Sequence, residues 1–199
     1  MSITINYQQI NKDLKKLAED YRQSYDEIAK SSRNYVLANL KPGEQVPKEG
    51  IIYGDEYKEQ FKTKANSIKS KALEMIDKAK TEMELKVSEP PSAEMTNLIT
   101  VLNFRNDLTS EEVDNMLEQY SDNIQTFRAI KSIAKDKGIQ TNVYSQADEI
   151  LQSVSDLRRV TSREFDAFNT IKNNGFGAVG IFAYGIQVDS AFPVKNTAE

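Results

Sequence analysis

The chain has 199 residues, of which 39% are hydrophobic and 28% are charged, which is enough for one or two compact units with a modest core. The net charge of −4 argues against a general nucleic-acid binder. Cysteine, histidine and tryptophan are all absent, which excludes disulfides, thiol nucleophiles, zinc sites of the Cys/His types and histidine-based acid–base catalysis.

The N-terminal sequence has no basic region followed by an apolar run, so we expect no signal peptide. No stretch reaches the ~18 apolar residues that a membrane span requires. Residues 3–7, ITINY, alternate apolar and polar side chains and are compatible with a short strand. A first long helix is predicted from Gln8 to Leu40, and its apolar end at Tyr35 to Leu40 is expected to pack against another element.

The connection from Lys41 to Gly54 is rich in proline and glycine and contains an apolar group, Ile51, Ile52 and Tyr53. Long connections of this kind are usually functional or flexible. The apolar group is either an anchor folded back on the helices or a contact surface for a partner. We include its three residues among the candidate interface residues.

A second long helix is predicted from Tyr57 to Met83, with Asp55 and Glu56 in its first turn. Seams at helical spacing run along both long helices and predict an antiparallel hairpin resembling a coiled coil. The seam of the first helix comprises Ile10, Leu14, Leu17, Tyr21, Ser24 and Ile28. Acids flank the first seam and lysines flank the second. The matching register pairs Asp13 with Lys78, Asp20 with Lys71 and Glu27 with Lys64, and it places Tyr21 near Ile68 and Ile28 near Phe61. The alternative, in which the lysines form a track for nucleic-acid phosphates, is less favoured.

Ser88, Glu89, Pro90 and Pro91 predict the boundary between a hairpin domain at residues 1–89 and a C-terminal helical unit at residues 92–174. A short buried helix is expected near Leu98 to Phe104. Thr109 and Glu112 form a capping box that predicts a helix start.

The helix that starts at Thr109 bends near residues 121–123, and its continuation ends at the glycine cap formed by Gly138 and Ile139. The pair resembles a helix-turn-helix in outline, but its second helix is too weakly basic to favour DNA recognition. Ser145 and Asp148 predict the start of another long helix, which we expect to end at residues 173–175.

Residues 175–199 are predicted to form a tail with a strand from Val179 to Val188. Gly175 to Gly180 fits the pattern G-x-G-x-x-G, but a nucleotide fingerprint must follow a strand and open a helix, so no cofactor is expected. The strand could pair with residues 3–7 or with Gly138 to Tyr144, or its edge could recruit another subunit. A third possibility is insertion of this segment into a membrane without spanning it. We select Phe176, Ile181, Phe182, Tyr184 and Ile186 as candidate interface residues.

Residues Leu108 to Ile139, LTSEEVDNMLEQYSDNIQTFRAIKSIAKDKGI, resemble a pattern found in small helical proteins encoded in the virion-assembly gene clusters of tailed phages of Gram-positive bacteria. The lysine- and alanine-rich helix predicted from Tyr57 is similar in style. The resemblance implies a scaffold, head-associated or host-interaction role, with no catalytic residues.

The expected fold is mainly α: an antiparallel long-helix hairpin, a C-terminal helical unit and a short strand-like tail. We therefore expect a non-enzymatic phage structural or assembly protein that contacts other virion proteins or itself, as a homo-oligomer, in the virion or the bacterial host cytoplasm. No catalytic residue, metal or cofactor is expected, and no specific nucleic acid. The alternative is a phage-encoded inhibitor or adaptor that binds one host protein. A third class, an enzyme using Asp or Glu with Mg²⁺ or a Ser/Lys pair, has no supporting residue spacing.

Overall fold

The computed structural model describes residues 7–87, 92–121, 123–166 and 178–192. All regular elements in these ranges are α-helices: α1 Tyr7–Ala38, α2 Asp55–Val87, α3 Ala93–Phe104, α4 Ser110–Gln119, α5 Ile124–Asp136, α6 Gln146–Glu164 and α7 Ala178–Ala191. The predicted mainly α fold is confirmed, as is the antiparallel pairing of the two long helices, α1 and α2. None of these helices is both long enough and apolar enough to cross a membrane.

Local capping bonds set the helix boundaries that the sequence predicts. The Thr109 hydroxyl accepts a bond from the Glu112 amide at 3.2 Å, and the Glu112 carboxylate accepts one from the Thr109 amide at 3.1 Å. At the end of α5, Gly138 has a φ of +73°, and the Ile139 amide donates to the Ala134 carbonyl at 2.8 Å. A left-handed glycine with this bond forms a Schellman cap. The Ser145 hydroxyl accepts from the Asp148 amide at 3.2 Å and starts α6.

The chain divides into two compact units. The first unit comprises Met1–Lys78 and Val154–Glu199, and the second comprises Ala79–Ser153. The first unit therefore combines residues from the N-terminal and C-terminal parts of the chain. The double proline that predicts a domain boundary lies outside the described residues.

A chain of five aromatic rings fills the core of the first unit. Each ring meets the next edge-on, with centroids 5.2 Å apart for Tyr25 and Phe61, 5.4 Å for Phe61 and Tyr21, 4.9 Å for Tyr21 and Phe165, and 5.3 Å for Phe165 and Tyr184. The edge-to-face arrangement suits the ring quadrupoles and adds to the stabilisation by burial. These contacts link α1, α2, α7 and the residue that follows α6.

The predicted strand from Val179 to Val188 is wrong, because these residues lie in α7. Tyr184, Val188, Ala191 and Phe192 are all buried and recur at helical spacing. Aromatic and β-branched residues favour strands, but packing against the other helices overrides this weak preference. One of its predicted partners, Gly138 to Tyr144, forms no strand, and most of the other, residues 3–6, lies outside the described ranges.

Polar contacts fix α7 against the start of α1. The buried Asn11 amide donates to Asp189 Oδ1 at 2.8 Å and to the Phe192 carbonyl at 2.9 Å, and Lys15 Nζ donates to the same Asp189 oxygen at 2.7 Å. Partial burial tends to raise the pKa of Asp189, but the bonds from Lys15 and Asn11 outweigh it and lower the pKa. Asp189 is therefore an ionised anchor between the two helices.

The oppositely charged flanks of α1 and α2 line one open groove with a volume of about 490 Å³. Asp13 and Asp20 contribute from α1, and Lys71 and Lys78 from α2, as the predicted register requires. Within the described part of the chain, however, none of the three predicted acid–lysine pairs approaches to 4.0 Å. Asp77 of α2 instead forms a direct ion pair with Arg158 of α6, in which Nη2 and Oδ2 are 3.1 Å apart.

Three short helices, α3, α4 and α5, build the core of the second unit. Its buried side chains are Leu102, Val113, Leu117, Phe127, Ile130, Ile133 and Ala134. α5 contacts both of the other helices and contributes the largest share of these residues. Successive helices thus pack on one central helix.

Candidate protein–protein interface

Helix α3 exposes apolar side chains that its own unit does not cover. Leu102 is its one buried residue, although seven of the twelve residues in AEMTNLITVLNF are apolar or alanine. Phe104 is 82% exposed and Val101 is 56% exposed. The two lie three positions apart, on one face of the helix. A large aromatic ring left in water beside a second apolar side chain is typical of a contact surface.

Hydrogen bonds hold both the backbone and the side chain of Arg105, the residue that follows Phe104. The Arg105 amide donates to the Val101 carbonyl at 3.1 Å, and its guanidinium bonds Asp107 at 2.9 Å and Glu112 at 3.2 Å. These hydrogen bonds raise the pKa of Arg105, and the guanidinium lowers the pKa of Asp107. The pKa of Glu112 is lowered first by the Thr109 amide and then by Arg105.

A second contact braces the end of α3 from the opposite direction. Lys137 Nζ, just beyond α5, donates to the Asn103 carbonyl at 3.1 Å, one of the carbonyls that the helix end leaves without an internal partner. We call the surface formed by Val101 and Phe104, together with the Arg105 corner, the α3 corner. Because its backbone is fixed, a partner would bind it with little loss of conformational entropy.

The predicted apolar group in the long connection packs against α1. Ile52 is 4% exposed, and Ile51 and Tyr53 are half-buried. The Tyr53 amide donates to the Ser32 hydroxyl at 3.1 Å, and the Tyr25 hydroxyl donates to the Gly50 carbonyl at 2.9 Å. These contacts are the ones expected if the group is an anchor folded back on the helices.

The candidate residues near the C-terminus have different surroundings. Tyr184 is 1% exposed, and its hydroxyl lies 3.0 Å from that of the buried Thr161. Burial raises the pKa of Tyr184 to about 12, while the bond with Thr161 acts in the opposite direction. Ile186 is half-exposed on α7, and Ile181 and Phe182 lie in the same helix. Phe176 lies outside the described residues.

Sequence reasoning did not select Val101 and Phe104, because the segment around them was expected to be a buried helix. The signal that could have revealed them is the distribution of apolar residues around all sides of a twelve-residue helix. A helix in a small unit can bury one side against its neighbours, so an all-round apolar helix leaves some of these residues in water.

No group of three or more Asp or Glu side chains within the described ranges has the arrangement needed to hold a metal ion. The α3 corner itself offers an aromatic ring, an aliphatic side chain and a fixed ion network. Comparisons with protein-family models, curated proteins and solved structures find no match to this chain.

Proposed function

We propose that the protein is a non-enzymatic structural or assembly protein of a tailed phage and that it acts through protein–protein contacts. The observation that carries the proposal is the exposure of Phe104 beside Val101 on the braced α3 corner. The resemblance of residues 108–139 to small helical proteins of phage assembly clusters provides the biological setting. The proposed partners are other virion proteins or further copies of this chain, and the proposed locations are the virion and the host cytoplasm.

Contact at the α3 corner would release free energy by removing the Phe104 ring from water. Complete burial of a phenylalanine side chain stabilises a complex by about 1.5–3 kcal/mol. Aromatic anchors of this kind supply much of the affinity of protein interfaces, and the surrounding polar groups exclude water. Arg105, Asp107 and Glu112 would form such a polar rim. Because these three side chains already form ion pairs with one another, a partner that covers them would not bury an unpaired charge.

Particle fractionation tests the proposal. The tagged chain is expressed in phage-producing cells that carry its gene, and capsid-sized particles are separated from soluble protein by gradient sedimentation. We expect wild type in the particle fractions and Phe104→Ser mainly in the soluble ones. Tyr35→Ser is the matched control, because Tyr35 is a 61% exposed aromatic residue of the first unit.

Three outcomes would contradict the proposal or part of it. Recovery of wild type in a small complex with one host protein would favour the inhibitor or adaptor. Equal distribution of Phe104→Ser and wild type in particles would remove the α3 corner from the contact. Turnover of a substrate by the purified chain, lost on substitution of one residue, would make the protein an enzyme.

A further inference from the structure

Two neighbouring helices of the second unit carry opposite charges at the same spacing. On α4, Glu111, Asp114 and Glu118 follow each other after three and then four residues, and on α5, Arg128, Lys131 and Lys135 do the same. We call these sets the acidic stripe and the basic stripe. Each covers about 10 Å of helix, since an α-helix rises about 1.5 Å per residue. The two stripes are therefore opposite in sign and equal in number and spacing of charges.

The acidic stripe has no cationic partner within the described part of its own chain. No lysine or arginine there lies within 4.0 Å of Glu111, Asp114 or Glu118, and Glu111 and Glu118 are exposed. One carboxylate oxygen of Asp114 is shielded from solvent and has no hydrogen-bond partner. Because this oxygen is out of reach of a partner, the accessible charges of the stripe are those of Glu111 and Glu118. The acidic stripe is thus available to an external cation.

The basic stripe borders an open groove of about 400 Å³. Arg128 is already paired with Asp148, so Lys131 and Lys135 carry the excess positive charge. Lys131 Nζ donates to the Val143 carbonyl at 3.2 Å and lies 5.5 Å from the centre of the Tyr144 ring. Tyr144 is 73% exposed. The groove therefore presents positive charge beside an aromatic ring.

We propose that this groove receives helix α4 of a second copy of the chain, so that the acidic stripe of one copy lies along the basic stripe of the next. The inference rests on the proposed function, because it names a further copy as one of the partners. Exposed ion pairs contribute little affinity individually, so the charges select partner and register while contact with Tyr144 contributes apolar burial.

The contact joins two different surfaces and is therefore heterologous. Each copy that uses its acidic stripe still offers its basic stripe to another copy, so association continues until a ring closes or a filament forms. This geometry distinguishes the contact from a two-fold dimer, which would stop at two copies. A mass that rises with concentration beyond that of two copies is its signature.

Charge reversal in separate copies tests the inference. One full-length variant, Lys131→Glu with Lys135→Glu, has two acidic surfaces, and a second, Glu111→Lys with Glu118→Lys, has two basic surfaces. Solution mass is measured by light scattering over a concentration series between about 50 and 500 mM salt, a range that strongly changes electrostatic screening. Circular dichroism checks that both variants retain their helices.

We expect the wild-type mass to rise with concentration and this rise to weaken with salt. Each variant alone should associate at least about tenfold more weakly, because like charges then face each other. An equal mixture of the two variants should recover association, since each acidic surface then finds a basic one. The control Lys12→Glu with Lys64→Glu makes the same change of charge on exposed residues of the first unit and should behave as wild type.

A wild-type chain that stays monomeric throughout the series would overturn the inference, as would a mixture that stays as weak as its components. Association that is equally strong in both variants would assign the contact to another surface. None of these results decides the proposed function. Recovery of the chain in capsid-sized particles, and its dependence on Phe104, can succeed or fail independently.

Discussion

The two units of this protein build their cores in different ways. In the first, Asn11 bonds Asp189 across 178 positions of sequence, and the ring of Phe165 lies between those of Tyr21 and Tyr184. In the second, three consecutive short helices pack around α5. The first core therefore requires the distant C-terminal helix, whereas the second arises from neighbours in the sequence.

The units also differ in where some of their aromatic rings lie. The first buries five aromatic rings in one continuous chain, while the second leaves Phe104 in water. A small unit of short helices has a large surface for its volume, so it cannot enclose every apolar residue. Exposed apolar surface therefore indicates a contact site most clearly where hydrogen bonds hold the surrounding backbone in place, as at the α3 corner.

Removal of residues 178–199 should have the largest effect. The deletion takes away the buried side chains of Tyr184, Val188 and Phe192, each worth about 1.5–3 kcal/mol, which together approach the total stability of many domains. We expect hydrogen exchange of α1 amides to lose protection while α5 amides keep theirs. Retained protection in α1 would show that α7 is dispensable for the first core.

The next largest effect should come from substituting a buried phenylalanine of the first unit, compared with an exposed phenylalanine of the second. Phe165→Ala removes a fully buried ring between two others and should lower the free energy of unfolding by about 3–5 kcal/mol. Phe104→Ala, its matched control, should change it by less than about 0.5 kcal/mol. Urea unfolding measures both. A similar loss in the two variants would mean that Phe104 stabilises the fold.

Tyr184→Phe should cost about 1–3 kcal/mol, because it leaves the buried Thr161 hydroxyl without its partner. The pKa of Tyr184 is raised to about 12 from the usual 10.0. Its contribution is therefore complete below pH 10 and is lost as the pH rises through 12, since the unfolded chain ionises first. Unfolding across this range should show a steeper loss for wild type than for Tyr184→Phe. Parallel curves would contradict the burial of this hydroxyl.

Thr109→Ala should lower the stability of the second unit by about 1 kcal/mol, because the Glu112 amide loses its capping partner. Thr109→Ser keeps the oxygen and serves as the control, with an expected change of a few tenths of a kcal/mol. Hydrogen exchange of α4 amides reports the effect locally. Equal protection in both variants would show that Glu112 and Arg105 hold the corner without the hydroxyl.

The smallest effect is expected for the flanking charges of α1 and α2. Lys71→Glu should weaken the pair slightly, and Asp20→Lys in addition should partly restore it. Their coupling should be at most about 0.5 kcal/mol, because the two side chains share a groove without a direct ion pair. A thermal-unfolding cycle measures this coupling. A value above about 1 kcal/mol would show that the ions pair directly in solution.

Much of the helical fold was predictable because its signals are local. Asp55 and Glu56 open α2, and Thr109 with Glu112 opens α4 through bonds that reach three residues along the chain. The alignment of α1 with α2 was predictable from the acids that repeat along one flank of α1 and the lysines that repeat along one flank of α2. The exact core positions were not predictable, since Ala18 and Tyr25 are buried where Leu17 and Ser24 were expected. A shift of one residue rotates a helix face by about 100°.

The candidate interface was less predictable than the fold. Exposure depends on what remains uncovered after packing, and Val101 and Phe104 have the same apolar character as the buried Leu102 between them. The stripes on α4 and α5 were visible as individual charges, but their availability depends on the ion pairs formed in the folded chain. Arg128 is paired with Asp148 across 20 positions, while Glu111, Asp114 and Glu118 of α4 have no such partner among the described residues.

The sequence by itself determined the helical class, the two long antiparallel helices, most helix ends and the absence of thiol and imidazole chemistry. These properties depend on residue type and on partners within a few positions. Tertiary structure alone decided that residues 178–191 form a helix rather than a strand, and that Phe104 stays in water while Phe165 is buried. Those outcomes depend on which distant surfaces meet, because burial is a property of the packed chain and not of any single segment.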